Sequence, residues 1–209
     1  MGIKDCSHHE YKRKKLIRRI FFTVLAFIII ILLTVLIIWA VLRPTKPKFI
    51  LQDATLYNFT LTSQTQLNSI FQVTIQARNP NDKVGIYYDG LRTSAFYQNQ
   101  PITLQTSIPP TYQDTEGTDV WSPYLQGQSV PIAPYLGSEI GQDLALGSVQ
   151  VVIKMDGWVR FKVGTFVSGS YRIHVNCNAL IPIGNPNSGV YVSRNVVKYP
   201  LVKTCDVDV

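Results

Sequence analysis

The chain has 209 residues, a formal net charge of +7, 46% hydrophobic residues and only 16% charged ones. That composition excludes intrinsic disorder, which needs low hydrophobicity and high charge, and the length allows one domain with an appendage. The charge is concentrated: residues 1–19 supply +5 of it, Arg43, Lys46 and Lys48 add +3, and residues 49–209 hold 10 basic against 11 acidic side chains. A nucleic-acid-binding globule carries its charge on the folded part, so nucleic acid is set aside as a partner.

Residues 1–19 read as a basic cytosolic tail that can attract anionic lipid headgroups or simply set topology. Residues 20–42 follow without a charge, a Pro or a Gly, and Thr23 and Thr34 are their only aliphatic hydroxyls. At 1.5 Å per residue such a helix reaches roughly 35 Å, enough to cross a hydrocarbon core of about 30 Å. A buried core helix would show a polar face. A cleavable signal would have a shorter apolar run and a small-residue cleavage site, which Trp39-Ala40-Val41-Leu42 does not supply. The segment is therefore expected to be an uncleaved transmembrane anchor, with Trp39 near the outer interface. Six Lys/Arg lie within residues 12–19 against three after the helix, so the N-terminus is expected in the cytosol and the remainder outside. Residues 43–48, with Pro44 and Pro47, form a short stiff linker.

Residues 49–209 are long enough for one substantial core. Phe71, Val73, Ile75 and Ala77 alternate with polar residues, as do Tyr171, Ile173, Val175 and Cys177, and more loosely Val149, Val151, Ile153 and Met155. That period of two marks strands with one wet face. Asp89-Gly90 and Asp156-Gly157 read as hairpin turns, Asn79-Pro80-Asn81-Asp82 as the end of a strand, and residues 134–144 as a short helix opened by Pro134 and followed by Gly147. About seven strands at short spacing predict an all-β antiparallel sandwich of immunoglobulin or fibronectin III type, with a jelly roll as the alternative.

Cys6 falls in the tail, and Cys177 and Cys205 fall in the body. In an oxidising compartment the pair suggests one bridge, the alternative being two buried free thiols. Asn58-Phe59-Thr60 is an N-glycosylation sequon that fits a secretory-pathway domain. Catalytic signatures do not appear: His8 and His9 lie in the tail, His174 lies on the polar face of a strand, and the glycine-serine elbow, paired-cysteine and zinc-protease patterns are missing. No metal or cofactor is expected. Asp114, Glu116 and Asp119 read as a solvated loop. Tyr87, Tyr88, Tyr97, Tyr112, Trp121 and Tyr124 cluster in sequence. Core packing is the default for most, while Tyr87, Tyr88, Trp121 and Tyr124 are the candidate partner surface.

Several segments together resemble one family. Residues 77–89, with Asn79-Pro80-Asn81 followed by Gly85-Ile86-Tyr87-Tyr88-Asp89, are similar to the Asn-Pro-Asn motif and its continuation in plant NHL (harpin-induced-like) proteins. Pro123-Tyr124-Leu125-Gln126-Gly127 resembles that family's Pro-Phe-x-Gln-Gly. Val159-Arg160-Phe161-Lys162-Val163-Gly164 with Val175-Asn176-Cys177 resembles its third block, and Cys205-Asp206-Val207 its end, where Lys more often follows the Cys. The resemblance implies a late embryogenesis abundant group 2 β-sandwich at the plant plasma membrane, with no catalytic activity, associated with pathogen response, the hypersensitive reaction and abiotic stress. The expected function is a non-enzymatic, membrane-anchored interaction or signalling module with an unknown protein or cell-wall partner. The alternatives are a linker that binds wall polysaccharide and a lipid-binding domain. Asn79, Pro80 and Asn81 are read first as a structural strand-to-turn element and second as a contact surface.

Overall fold

The computed structural model describes residues 4–42, 45–183, 190–193 and 196–209. They fall into two units that divide at residue 43.

The first unit is one α-helix, α1 (Lys4–Leu42). It begins inside the basic tail, earlier than the sequence predicts, because nothing between residues 4 and 19 breaks a helix. Every residue from 15 to 36 is exposed, including Phe21, Phe27 and Leu32 at over 60%. The stretch Lys15–Leu36 has a mean hydropathy of 2.8 and is long and apolar enough to cross a membrane. Its two hydroxyls are satisfied within the helix: Thr23 and Thr34 donate to the carbonyls of Ile20 and Ile31, both at 2.8 Å. The side chain of Trp39, and residues Arg43 and Pro44, lie outside the described set.

The second unit is a two-sheet sandwich. Its elements run β1 (Lys48–Ser63), β2 (Gln66–Arg78), β3 (Gly85–Tyr97), β4 (Gln100–Pro101), β5 (Thr106–Ser107), β6 (Thr111–Gln113), β7 (Thr118–Trp121), β8 (Tyr124–Pro131), α2 (Pro134–Leu146), β9 (Ser148–Val163), β10 (Phe166–Val167), β11 (Tyr171–Pro182), β12 (Val190–Ser193), β13 (Val196–Thr204) and β14 (Asp206–Asp208). Sheet A has the order β12-β13-β1-β2-β7, with β8 also on β2. Sheet B has the order β14-β11-β9-β3-β4, with β10 on β9 and β5 and β6 on β3. All pairings are antiparallel. The described residues thus form fourteen strands where the sequence predicts about seven, because two- and three-residue pieces pair separately along the long strands.

Period-two patterning does what it predicts. In β2 and β9, and in β11 from Ile173 onward, the predicted apolar positions are buried and the polar ones between them are mostly not, but Tyr171 at the start of β11 is 50% exposed. Phe49, Leu51, Phe71, Val73 and Ile75 from sheet A meet Ile86, Tyr88, Val151, Ile153 and Val175 from sheet B in one core. α2 runs where predicted. Pro134 opens it, and Gly147 closes it in the left-handed conformation (φ 78°), with its N–H on the carbonyls of Asp143 and Leu144. Leu136 and Ile140 carry the helix into the core, and a Cβ at Gly137 would collide with the Gln64 carbonyl oxygen.

Both Asp-Gly dipeptides read as hairpin turns prove to lie inside long strands, β3 and β9. Asp89 pairs with Trp158 and Arg92 with Asp156, so β3 holds one residue more than β9 across this step. The surplus is a β-bulge, with Gly90 at φ 59° taking its left-handed position. Gly157 faces it, and a Cβ there would lie 2.6 Å from Leu91 Cδ2 and 2.9 Å from Leu91 Cα. The two glycines accommodate one irregularity between paired strands. Ladder pairing on both sides overrides the local turn preference.

Candidate functional site

The sequence-selected residues separate into three groups, set by the direction in which each side chain leaves its strand.

The first group is a buried amide knot at the end of β2. Asn79 is fully buried and Asn81 is 7% exposed. Asn79 Nδ2 donates to the carbonyls of Val84 (2.7 Å) and Asp114 (3.0 Å), and its Oδ1 accepts from Asn81 N (3.0 Å) and Nδ2 (2.8 Å). Asn81 Nδ2 also donates to the Thr45 carbonyl at 2.9 Å, and Asn81 Oδ1 accepts from Thr45 N at 2.8 Å. Backbone bonds from Asn79 N to Gly117 O and from Glu116 N to Asn81 O complete the set. Pro80 between them has no N–H to satisfy. A side-chain amide has two donors and one two-lone-pair acceptor, and here they tie four separate backbone segments together. This is the physical content of the Asn-Pro-Asn motif: it holds the strand end, the segment before β1 and the 114–117 loop.

The second group is aromatic core. Tyr88 is fully buried and Trp121 is 9% exposed, so neither belongs to a partner surface, contrary to the sequence expectation. Their rings pack edge-on at 5.4 Å, and both pack on Phe49. The reason is parity: Tyr87 and Tyr88 are adjacent on a strand, so their side chains leave by opposite faces. The Tyr88 hydroxyl donates to Gln113 Oε1 at 2.9 Å, and Gln113 Nε2 donates to the Ala77 carbonyl at 2.9 Å. Burial, aided by Asp119, pushes the Tyr88 phenol well above its ordinary range.

The third group faces outward, with Tyr124 exposed and Tyr87 half-buried. Tyr124 packs on Tyr57 at 4.9 Å on sheet A. Tyr87 lies on the outer face of sheet B against Tyr112 at 4.5 Å. That face was missed from sequence, although the alternation of Lys154, Asp156, Trp158, Arg160 and Lys162 along β9 is its signature. Four cations on it each lie over an aromatic ring: Lys154 over Phe96 (4.4 Å), Arg160 over Tyr87 (5.2 Å), Lys162 over Tyr112 (5.1 Å) and Arg172 over Trp158 (5.7 Å). Arg160 also meets Asp89 at 2.7 Å, which holds the guanidinium more firmly in its charged form. His174 Nδ1 meets Asp156 at 2.5 Å, and Asp208, at the β14 edge, meets Lys46 at 3.0 Å. Lys154, Lys162, Arg172 and the exposed Arg92 have no carboxylate within ion-pair distance among the described residues.

Cys177 on β11 and Cys205 between β13 and β14 form a disulfide with their Cα atoms 4.3 Å apart. Cys205 N also donates to the Phe49 carbonyl, so the bridge fastens sheet B where the chain leaves sheet A. Asn58 is half-buried on β1, and its Oδ1 accepts from Thr60 Oγ1 at 3.2 Å. Beside α2 lies an open pocket of about 470 Å³ lined by Tyr97, Glu139, Gln142, Asp143 and Gln150 among others. The Tyr97 hydroxyl donates to Asp143 Oδ2 at 2.8 Å, and burial together with that carboxylate raises the phenol's pKa. This lining is polar, unlike an acyl-chain cavity.

The family model and the sequence relatives agree. A family model described as late embryogenesis abundant protein matches residues 74–179. NDR1/HIN1-like protein 1 of Arabidopsis thaliana is 51% identical over 209 residues, covering 99% of this chain and all of that protein. NDR1/HIN1-like protein 12 of the same plant is 47% identical over the full length of both. A solution structure of a putative late embryogenesis abundant protein aligns with 66% of this chain and 73% of its own at 13% identity. Its TM-score of 0.30 carries no argument. With near-complete coverage at half identity, the chain belongs to the NDR1/HIN1-like family and carries a late embryogenesis abundant domain.

Proposed function

We propose that the protein is a non-enzymatic, single-pass membrane component of plant defence and stress response, acting through its β-sandwich as an extracellular interaction module. The observation that carries this reading is the pairing of family membership with an N-terminal helix whose apolar surface is exposed throughout residues 15–36. A continuous apolar cylinder of that length needs a covering, and a bilayer supplies one. In this reading α1 spans the plasma membrane once, its basic tail sits in the cytosol against anionic headgroups, and residues 43–209 are outside, where the Cys177–Cys205 bridge persists and Asn58 carries a glycan. A non-catalytic role is supported by where the polar groups go. Asn79, Asn81, Gln113 and Tyr88 are spent on structure, and His174 is paired on an open strand face.

Protease treatment of sealed microsomes tests the topology. The body resists digestion until detergent is added, while a tag at Met1 is removed; digestion of the body without detergent overturns the reading. A glycosidase-dependent gel shift abolished by Asn58→Gln is the accompanying result. The defence role requires that loss of the gene alter pathogen response, and an unchanged response refutes it. The second reading, a membrane-to-wall linker, is favoured by the cation-bearing outer face of sheet B. The lipid-binding alternative draws no support from the polar pocket beside α2.

A further inference from the structure

We infer that the outer face of sheet B is a binding site for an acidic polysaccharide, a uronate polymer laid along β9. This deepens the interaction-module reading and rests on it.

The charge distribution comes first. Residues 49–209 carry ten basic side chains and are nearly neutral overall. Five of those ten, Arg92, Lys154, Arg160, Lys162 and Arg172, leave sheet B by the same face, as their pairing shows: Arg92 opposite Asp156, Arg172 opposite Trp158, and the other three alternating along β9. Of the four acids that its strands place on that face, Asp89 pairs with Arg160, Asp156 with His174 and Asp208 with Lys46, while Asp206 stands exposed opposite Asn176 at the β14 edge. Of the remaining cations, Lys154, Lys162 and Arg172 are positioned by aromatic rings in place of carboxylates, and Arg92 is exposed. A ring orients a cation while leaving its charge unneutralised and its N–H groups free to meet an incoming anion.

The shape selects the kind of anion. Lys154 to Lys162 spans eight residues of one extended strand, about 26 Å. Lys154, Arg160 and Lys162 along β9, flanked by Arg92 on β3 and Arg172 on β11, spread their charges along an open strand face, which suits a chain bearing repeated carboxylates better than a single phosphate. Trp158, 46% exposed, and Tyr112, 40% exposed, add flat rings of the kind that stack on the C–H faces of sugars, and the exposed Asn176 and Asn178 on the neighbouring β11 offer amides for hydroxyl groups. Charge complementarity together with rings and amides defines an acidic glycan. A purely electrostatic site for anionic lipid would need neither the rings nor the amides.

The test uses the full chain in nanodiscs of zwitterionic lipid, with polygalacturonate as probe and a neutral glucan as comparator. The basic tail also attracts polyanions, so Lys12, Arg13, Lys14, Lys15, Arg18 and Arg19 are changed to Gln in a parallel protein. The expected result is binding of polygalacturonate, not of the glucan, that survives the tail changes and weakens with salt. Lys154→Glu with Lys162→Glu and Arg172→Glu lowers affinity by about tenfold or more, as reversed charges on a complementary surface do. Trp158→Ala lowers it further without altering the charge. Intact Cys177–Cys205 pairing and an unchanged unfolding midpoint followed by far-ultraviolet dichroism show that each variant is folded. Loss of binding with the tail changes alone, equal binding of the glucan, indifference to the charge reversal, or a preference for phosphatidylserine vesicles that tracks the same residues each overturns the proposal. Topology in microsomes is read independently. Failure to bind with an external body removes only the glycan assignment, and a cytosolic body removes the module reading itself.

Discussion

Two polar regions of the sandwich make a useful contrast. At the end of β2, Asn79 and Asn81 are buried, uncharged and bonded to three other backbone segments. On the outer face of sheet B, Lys154, Lys162 and Arg172 are charged, open to solvent on one side and held by rings alone. The first region is a condition of folding, because a buried amide that loses a partner retains its desolvation cost. The second contributes little to folding and is available for something else. The difference teaches that a motif legible in sequence need not be the working surface. Here the Asn79-Pro80-Asn81 motif fastens the scaffold, and the alternation along β9 faces outward.

Four sets of substitutions test whether the two regions differ in this way. Asn79→Ala has the largest effect. It strips partners from Asn81 and from the carbonyls of Val84 and Asp114, and at about 1–3 kcal/mol for each stranded group the loss is about 3–5 kcal/mol in denaturant unfolding. A loss under about 1 kcal/mol would show that the knot is ornamental. Cys177→Ala with Cys205→Ala comes next. Opening the 28-residue separation costs about 3–4 kcal/mol in the loop-closure account, read as a lower denaturation midpoint that reductant reproduces in the native chain. Gly157→Ala forces a Cβ onto Leu91 in the bulge and costs about 1–3 kcal/mol, the range for overpacking; wild-type stability would mean that the bulge relaxes freely. The smallest effect belongs to the face. Each of Lys154→Gln, Lys162→Gln and Arg172→Gln loses an exposed cation–π pair worth about 0.5–1 kcal/mol, and a much larger loss in thermal unfolding would place these residues with the scaffold and erase the contrast.

Legibility followed the same division. Strands β2, β9 and β11 and helix α2 were readable because each obeys a local rule: alternation for the strands, a proline start and a glycine end for the helix. The Asp89-Gly90 and Asp156-Gly157 turns misled because the same dipeptide serves a hairpin or a bulge, and only the partner strand decides which. Tyr88 and Trp121 misled because a cluster in sequence says nothing about parity. Gln113 could not be singled out, since its value lies in bridging Tyr88 to Ala77, 25 and 36 residues away.

By itself the sequence determined where the charge lies along the chain, that one uninterrupted apolar stretch precedes a body of alternating strands, and which family the motifs resemble, because charge, run length and periodicity are properties of neighbours in the chain. The tertiary structure decided what each polar group is for. Burial and pairing depend on residues brought together from distant strands, and they turned the Asn79-Pro80-Asn81 motif into an internal fastening while gathering half of the basic side chains of a near-neutral body onto one face of sheet B.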